Sequence, residues 1–395
     1  MLYLAFKNII SKPLNTLLSI LLLTLSILLA TFVLQISKQL NHHLEKNSKP
    51  FDMVIGAKGS ALQLVLSAIL HIDNPTGNIS LDEVLRIRKN PMVREVIPVS
   101  YGDNYRGYRI LGTSNEYVRK YGATLKEGKL NTKNFEAIFG AEVAKKLKLS
   151  VGSSFVSSHG LIQNEIEAHD EKPFVMTGVL RPTGTVVDHL IITNLESVWE
   201  VHEHGDEHIE HHDEHKEITA LLLNFRNPIG ALQLSRSINK NTSLQAALPK
   251  LEIDRLLKFL GIGFKAINGI AMAILLVAGL SVFISLIKTV KERKHELALL
   301  RTYGATTFQL LTLVFLEALF LSLIGFVFGW FLGRVSILLF SNLASDAYKY
   351  HLEINAPDMQ EFIMLLIVIF MTILASILAS YSLFKLNVSK ILTDA

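Results

Sequence analysis

The chain reads as an α-helical membrane protein with four transmembrane helices and a large α+β domain inserted between the first and second. Three observations predict this. Half of the 395 residues are hydrophobic, too apolar a balance for an ordinary soluble protein. The apolar residues concentrate in four runs, about 14–36, 267–287, 310–332 and 362–384, each longer than the roughly 18 needed to cross a bilayer as a helix. Between the first two runs lies a stretch of more than 200 residues, long enough to bury a core of its own.

At residues 1–13, Leu2, Phe6, Ile9 and Ile10 recur at helical spacing while Lys7, Ser11 and Lys12 take the other side, the pattern of an amphipathic helix lying on a membrane surface. Pro13 breaks it. The first span, 14–37, is longer than a secretory signal core and ends in no small-x-small cleavage site, so it is expected to remain as an anchor. Within 38–260, helices are expected at 81–89, 140–147 and 229–238, and strands at 93–101, 108–111, 174–180, 190–193 and 218–225. From residue 251 the chain becomes helical again, as a stalk leading into the second span, 261–288. A charged hinge fills 289–306, the third span 307–334, a short outer loop 335–361, the fourth span 362–385 and a tail 386–395.

Lys and Arg cluster at one side of these spans, which the positive-inside rule places in the cytoplasm. Lys7 and Lys12 precede the first span, Lys288, Lys291, Arg293, Lys294 and Arg301 lie between the second and third, and Lys385 and Lys390 follow the fourth. Both termini and the hinge are therefore expected inside, and the large domain outside. Residues 38–261 hold 27 Lys plus Arg against 27 Asp plus Glu, so the whole net charge of +4 belongs to the membrane part and its flanks. That distribution reflects topology and gives no reason to expect a nucleic-acid partner. With no cysteine in the chain, disulfides, thiol catalysis and thiolate metal sites are excluded.

The hinge is the most informative segment. Glu292, Arg293 and Glu296 fall within about one helical turn, Leu297, Leu299 and Leu300 supply an apolar side, and Gly304 is a suitable stop. The stretch Glu292-Arg293-Lys294-His295-Glu296-Leu297-Ala298-Leu299-Leu300-Arg301-Thr302-Tyr303-Gly304-Ala305 resembles the "ER..EIA.LRA.GA" signature of the MacB/FtsX/LolC-type ABC permeases, also called mechanotransmission or type VII ABC transporters. Glu317, in Phe315-Leu316-Glu317, matches that family's acid early in the third span. In the outer domain, Phe139-Gly140-Ala141-Glu142-Val143-Ala144 followed by Leu149-Ser150-Val151-Gly152 is similar to its "lG..vA..L.l.vG" element.

The resemblance implies a non-catalytic permease of the bacterial inner membrane that works with a separate ABC ATPase, and no Gly-x4-Gly-Lys-Ser/Thr phosphate loop occurs in this chain. ATP would bind the partner subunit, and this chain would bind no cofactor of its own. Glu292, Arg293, Glu296, Leu300, Arg301, Gly304 and Ala305 are the residues expected to couple to that ATPase. A second permease copy, making a homodimer, is the expected partner in the membrane. The cargo class implied is a lipid-like molecule, a lipoprotein or a peptide, handed to a periplasmic adaptor or lipoprotein. A scaffold that activates a periplasmic partner without transport, as FtsX-like proteins do, and a zinc-linked accessory transporter are the alternatives.

Glu317 should sit inside the membrane edge, where a carboxylate either snorkels to the interface or bonds a neighbouring helix to lock the hinge. No second intramembrane acid is apparent beside it, which argues against a proton relay. Gly325, Gly329 and Gly333 place a smooth strip on one face of the third span, suited to close helix packing. Trp330 and Arg334 read as interface anchors. His202, His204, His208, His211, His212 and His215, interleaved with acids, account for six of fourteen histidines. Imidazole and carboxylate together suit loose zinc binding by a mobile loop. Finally, Leu62, Val65, Leu66 and Ile69 form a helical stripe that is either core or a face for the outer leaflet or a lipid-like substrate.

Overall fold

The computed structural model describes residues 3, 7, 13–158, 173–202, 216–348 and 356–384. The chain folds as two compact units, Leu40–Phe259 and the pair Met1–Gln39 with Leu260–Ala395.

In the first unit a ten-stranded, mostly antiparallel sheet is built from β1 (Met53–Ala57), β3 (Val93–Tyr105), β4 (Tyr108–Thr113), β5 (Leu125–Gly128), β6 (Glu136–Phe139), β7 (Ser154–Phe155), β8 (Phe174–Leu180), β9 (Ile191–Thr193), β11 (Ala220–Phe225) and β12 (Leu244–Ala247). Their order is β12-β1-β11-β3-β4-β9-β6-β8-β5, with β7 also on β8, while β2 (Ile79–Ser80) and β10 (Glu217–Ile218) form a small second sheet. Parallel pairing is confined to β4 with β9 and β6 with β8. Both faces of the large sheet are covered, which explains why all six residues of β11 are buried and why such strands read as continuous apolar runs.

Alternation along each strand sorts the cores. Val54, Ile97, Val99, Leu111, Ile138, Ile192 and Leu222 point to one face, where α2 (Ala61–Ala68) and α4 (Asn115–Lys120) pack. On the other face, Met53, Ile55, Leu221 and Leu223 meet α7 (Pro228–Asn241). Farther along the sheet, Ile110, Ala137, Phe139 and Ile191 meet α5 (Ala141–Leu147) and α6 (Leu195–His202). Of the stripe at 62–69, Val65 and Ile69 are fully buried in this core while Leu62 and Leu66 are half-buried.

Local sequence sets the element ends. Ser60 caps α2 by accepting from the Gln63 amide, and Asn227 caps α7 ahead of Pro228 by accepting from Ile229. The helix α3 (Leu81–Arg88) carries Asp82 and Glu83 in its first turn and Arg86 and Arg88 in its last, complementing the helix dipole. Gly140 precedes α5 because a Cβ there would stand 2.2 Å from the Val187 carbonyl oxygen.

The second unit contains the candidate spans. They are α1 (Pro13–Ser48), α8 (Pro249–Glu292), α10 (Thr307–Tyr348) and α11 (Met359–Phe384), with the short α9 (Lys294–Thr302) between α8 and α10. The boundary between the units falls inside α1 and α8. One expectation is corrected here: 335–348 is not loop but the continuation of α10. Ile337, Leu338, Leu339 and Phe340 extend the apolar helix, and neither Gly nor Pro interrupts residues 334–348. Most of the amphipathic segment at 1–13, the tail 386–395 and residues 349–355 of the outer loop lie outside the described residues.

Candidate coupling site and buried ion pairs

The hinge is three consecutive stereochemical devices. Helix α8 ends at Glu292, and Arg293, with φ −97° and ψ 16°, breaks the helix before α9 begins. At the far end of α9, Gly304 adopts φ +94°, a conformation that costs a residue with a Cβ roughly 1–2 kcal/mol. This lets the Ala305 amide reach back to Leu300 at 3.0 Å and the Gly304 amide to Arg301 at 3.1 Å, the paired bonds of a Schellman stop. Thr306 then opens α10 with a capping box: its Oγ1 accepts from the Gln309 amide at 3.2 Å while Gln309 Oε1 accepts from the Thr306 amide at 2.8 Å. Two helices are thus joined through a turn whose every bend has a named cause.

Arg293 ties this turn to the bundle. Its Nε donates to Glu296 at 2.7 Å and its Nη1 to Glu317 at 3.1 Å. Glu317 is buried on α10, so its charge is met by a guanidinium that the helix break presents. Arg301 Nη2 lies 3.4 Å from Thr307 Oγ1. Leu297 and Ala298 are buried, Leu300 and Ala305 are half-buried, and Glu292, Glu296 and Gly304 are exposed. Leu299, Tyr303 and Phe308 are also exposed, Tyr303 by 87%, giving the turn an apolar outer surface beside its charges.

The glycine strip packs within this chain. A Cβ on Gly325 would stand 2.8 Å from Leu23, on Gly329 2.6 Å from the Thr24 carbonyl oxygen, and on Gly333 2.9 Å from Thr31. All three partners lie on α1, so the strip brings α10 against the first span.

Farther along α10, Arg334 is buried and has a partner the sequence does not show: it pairs with buried Glu361 of α11 at 2.8 and 3.1 Å. Trp330 Nε1 donates to the same carboxylate at 2.8 Å, Gln35 of α1 donates to it as well, and the Arg334 guanidinium lies 4.6 Å from the Trp330 ring centre. Glu361 is thus a second buried acid that hydropathy alone did not reveal. Its signal was available in part, since α11 carries this acid in its first turn, directly adjoining an uninterrupted apolar run.

Of the histidine cluster, only His202 falls within the described residues, at the end of α6; His204, His208, His211, His212 and His215 lie outside them. Among the described residues no group of three His, Cys, Asp or Glu is placed to hold a metal ion.

Four apolar helices, a hinge between the second and third, and an α+β insertion after the first define a permease built around an extramembrane domain. Two family descriptions match accordingly: "MacB-like periplasmic core domain" over residues 16–228 and "FtsX-like permease C-terminal" over residues 268–388. The chain belongs to the ABC permeases of the MacB/FtsX/LolC type. It is 22% identical over 335 residues to the lipoprotein-releasing system transmembrane protein LolC of Buchnera aphidicola subsp. Schizaphis graminum, covering 82% of this chain and 78% of that one. Among solved structures it is similar to the periplasmic region of MacB from Actinobacillus actinomycetemcomitans, at 12% identity, 54% of this chain, 97% of that chain and TM-score 0.37. The extracellular domain of the noncanonic ABC-type transporter YknZ from Gram-positive bacteria compares at 13% identity, 49% and 98% coverage, and TM-score 0.32.

Proposed function

We propose that this permease transmits ATP-driven motion from a separate cytoplasmic ATPase, through the turn between α8 and α10, to the domain on the other side of the inner membrane. The observation that carries the reading is Arg293, placed at the helix break and bonded at once to Glu296 on α9 and Glu317 inside α10. A push on the exposed surface of α9 would be felt in the third span through that buried pair rather than absorbed by a loose loop. Exposed Leu299, Tyr303 and Phe308 flanked by Glu292 and Glu296 fit an apolar groove with a charged rim on the motor.

In this reading both termini and the turn face the cytoplasm, the large domain is periplasmic, and two copies pair with two ATPase subunits. The chain has no catalytic role of its own. The cargo is a lipid-like molecule, lipoprotein or peptide, passed to a periplasmic adaptor or lipoprotein. Purifying the permease with its ATPase, identifying the molecules that come with it, and measuring ATP hydrolysis with each tests this. Stimulation by one such molecule supports transport; stimulation only by a periplasmic protein, with no cargo, replaces it with a signalling role.

A further inference from the structure

We propose that Gln35, Trp330, Arg334 and Glu361 are positioning residues: a buried latch that fixes α1, α10 and α11 as one body, so that α8 is the span that moves. The inference rests on the coupling reading above and adds which helix carries the motion.

The latch lies far from the hinge. Arg334 follows Glu317 by seventeen residues on α10, a rise of about 25 Å in a hydrocarbon layer of about 30 Å. Two buried ion pairs are therefore set about 25 Å apart along the same helix. Glu361 accepts from three side chains on two helices, Gln35 on α1 and Trp330 and Arg334 on α10, while its own backbone begins α11. Lys38 on α1 adds an ion pair to Asp358, just before α11, at 2.7 Å. Because Glu361 is buried, water cannot readily replace its partners when a helix slides, so the arrangement holds one register. Alongside it, the Gly325, Gly329 and Gly333 strip of α10, packed against α1, and the 2.6 Å bond from Thr372 to Ser322 keep the same three helices close.

Beyond the Arg293–Glu317 tie at its hinge end, the contacts of α8 are of another kind. Ser26 donates to the Ala271 carbonyl at 3.1 Å and Ser19 lies 3.4 Å from Ser281, with aliphatic side chains between. Toward its outer part, an added Cβ at Gly263 or Gly269 would meet no atom within 4 Å, and Ile262, Ile267 and Ile270 are exposed. Serine hydroxyls and aliphatic contacts can slip by a fraction of a turn; a carboxylate held by three side chains cannot.

The chain has no native cysteine, so spin labels can be placed without background. Leu339, Phe362 and Ile270 are exposed on α10, α11 and α8. In the full permease in nanodiscs, the Leu339→Cys/Phe362→Cys pair is expected to give a narrow distance distribution that broadens in Glu361→Gln. With the ATPase added, vanadate trapping should leave that distance unchanged and shift the Leu339→Cys/Ile270→Cys distance by several ångström. A narrow distribution in Glu361→Gln, or equal shifts of both pairs, overturns the latch. If neither distance responds to nucleotide but Glu361→Gln still broadens the first, the latch stands and the motor reading fails. Should Glu361→Gln not fold, the Arg334→Met/Glu361→Leu variant takes its place, since apolar replacement of a buried pair commonly preserves stability. Broadening there supports the latch, and a native-width distribution refutes it.

Discussion

Arg293 Nη1 lies 3.1 Å from Glu317 Oε1, joining the break after α8 to a buried point on α10. The Arg293 and Glu317 side chains are 14% and 5% exposed, so neither charge can be left to water alone. Removing one partner of such a pair costs about 3–5 kcal/mol. Glu317→Ala is expected to lower the melting temperature of the permease in nanodiscs by several degrees, and Glu317→Gln by less, because the amide can still accept from the guanidinium. Equal melting temperatures for wild type and Glu317→Ala would show that the pair is not formed.

The glycine strip makes a contrast between neighbouring alanine substitutions. Gly329→Ala forces a methyl to within 2.6 Å of the Thr24 carbonyl oxygen, and overpacking of that kind costs about 1–3 kcal/mol. Gly269→Ala, on α8, meets nothing within 4 Å and should be neutral or slightly stabilising. Thermal melts of the two variants side by side check the assignment of this strip to α1.

His71 gives the outer domain a pH dependence. Its Nδ1 is 2.6 Å from the Tyr101 hydroxyl and its Nε2 2.7 Å from that of Tyr117. Tyr101 donates its own proton to the Ser67 carbonyl, so Nδ1–H donates to Tyr101 and Nε2 accepts from Tyr117. Burial, with Arg109 nearby, lowers the imidazole pKa to about 3. The folded ring thus stays neutral where the unfolded one protonates near 6.5. The stabilisation is complete above pH 6.5 and is lost progressively as pH falls toward 3. Between pH 7.5 and pH 5 the loss is about 2 kcal/mol. Denaturant unfolding of the full chain at both pH values, with His71→Gln as comparison, should show this part of the pH dependence vanish in the variant.

For the histidine-rich segment, micromolar to millimolar zinc binding is expected in the full permease and absent after deletion of residues 203–215. Calorimetric titration of both proteins measures it. Binding that survives the deletion would move the metal elsewhere.

Much of the fold is legible in the residues because apolar order leaves few choices. The four spans and strands such as Phe174–Leu180 and Ala220–Phe225 announce themselves by continuous Val, Leu and Ile. What is illegible depends on long-range partners. Met53–Ala57 carries a glycine and gives no strand expectation, yet it is a buried strand between β11 and β12. Glu136–Phe139 is too short to register without β8 and β9 beside it. The same holds for charge. Gly304 and the acids around Arg293 are local and visible, whereas Arg334 reads as an interface anchor and Glu361 shows no partner until α10 and α11 are packed side by side. Sequence spacing shows where a charge stands along one helix; only packing shows that 27 residues later another charge faces it.

The most direct test of the coupling account is ATP-driven motion in the complex with Glu292→Ala and with Arg301→Ala. Glu292 is exposed and Arg301 half-buried, so each variant should fold and melt within a few degrees of wild type. The readout is the nucleotide-dependent shift between spin labels at Leu339→Cys and Ile270→Cys, recorded together with ATP hydrolysis. The account predicts that hydrolysis persists while the shift shrinks severalfold in both variants. A full wild-type shift in both would contradict it.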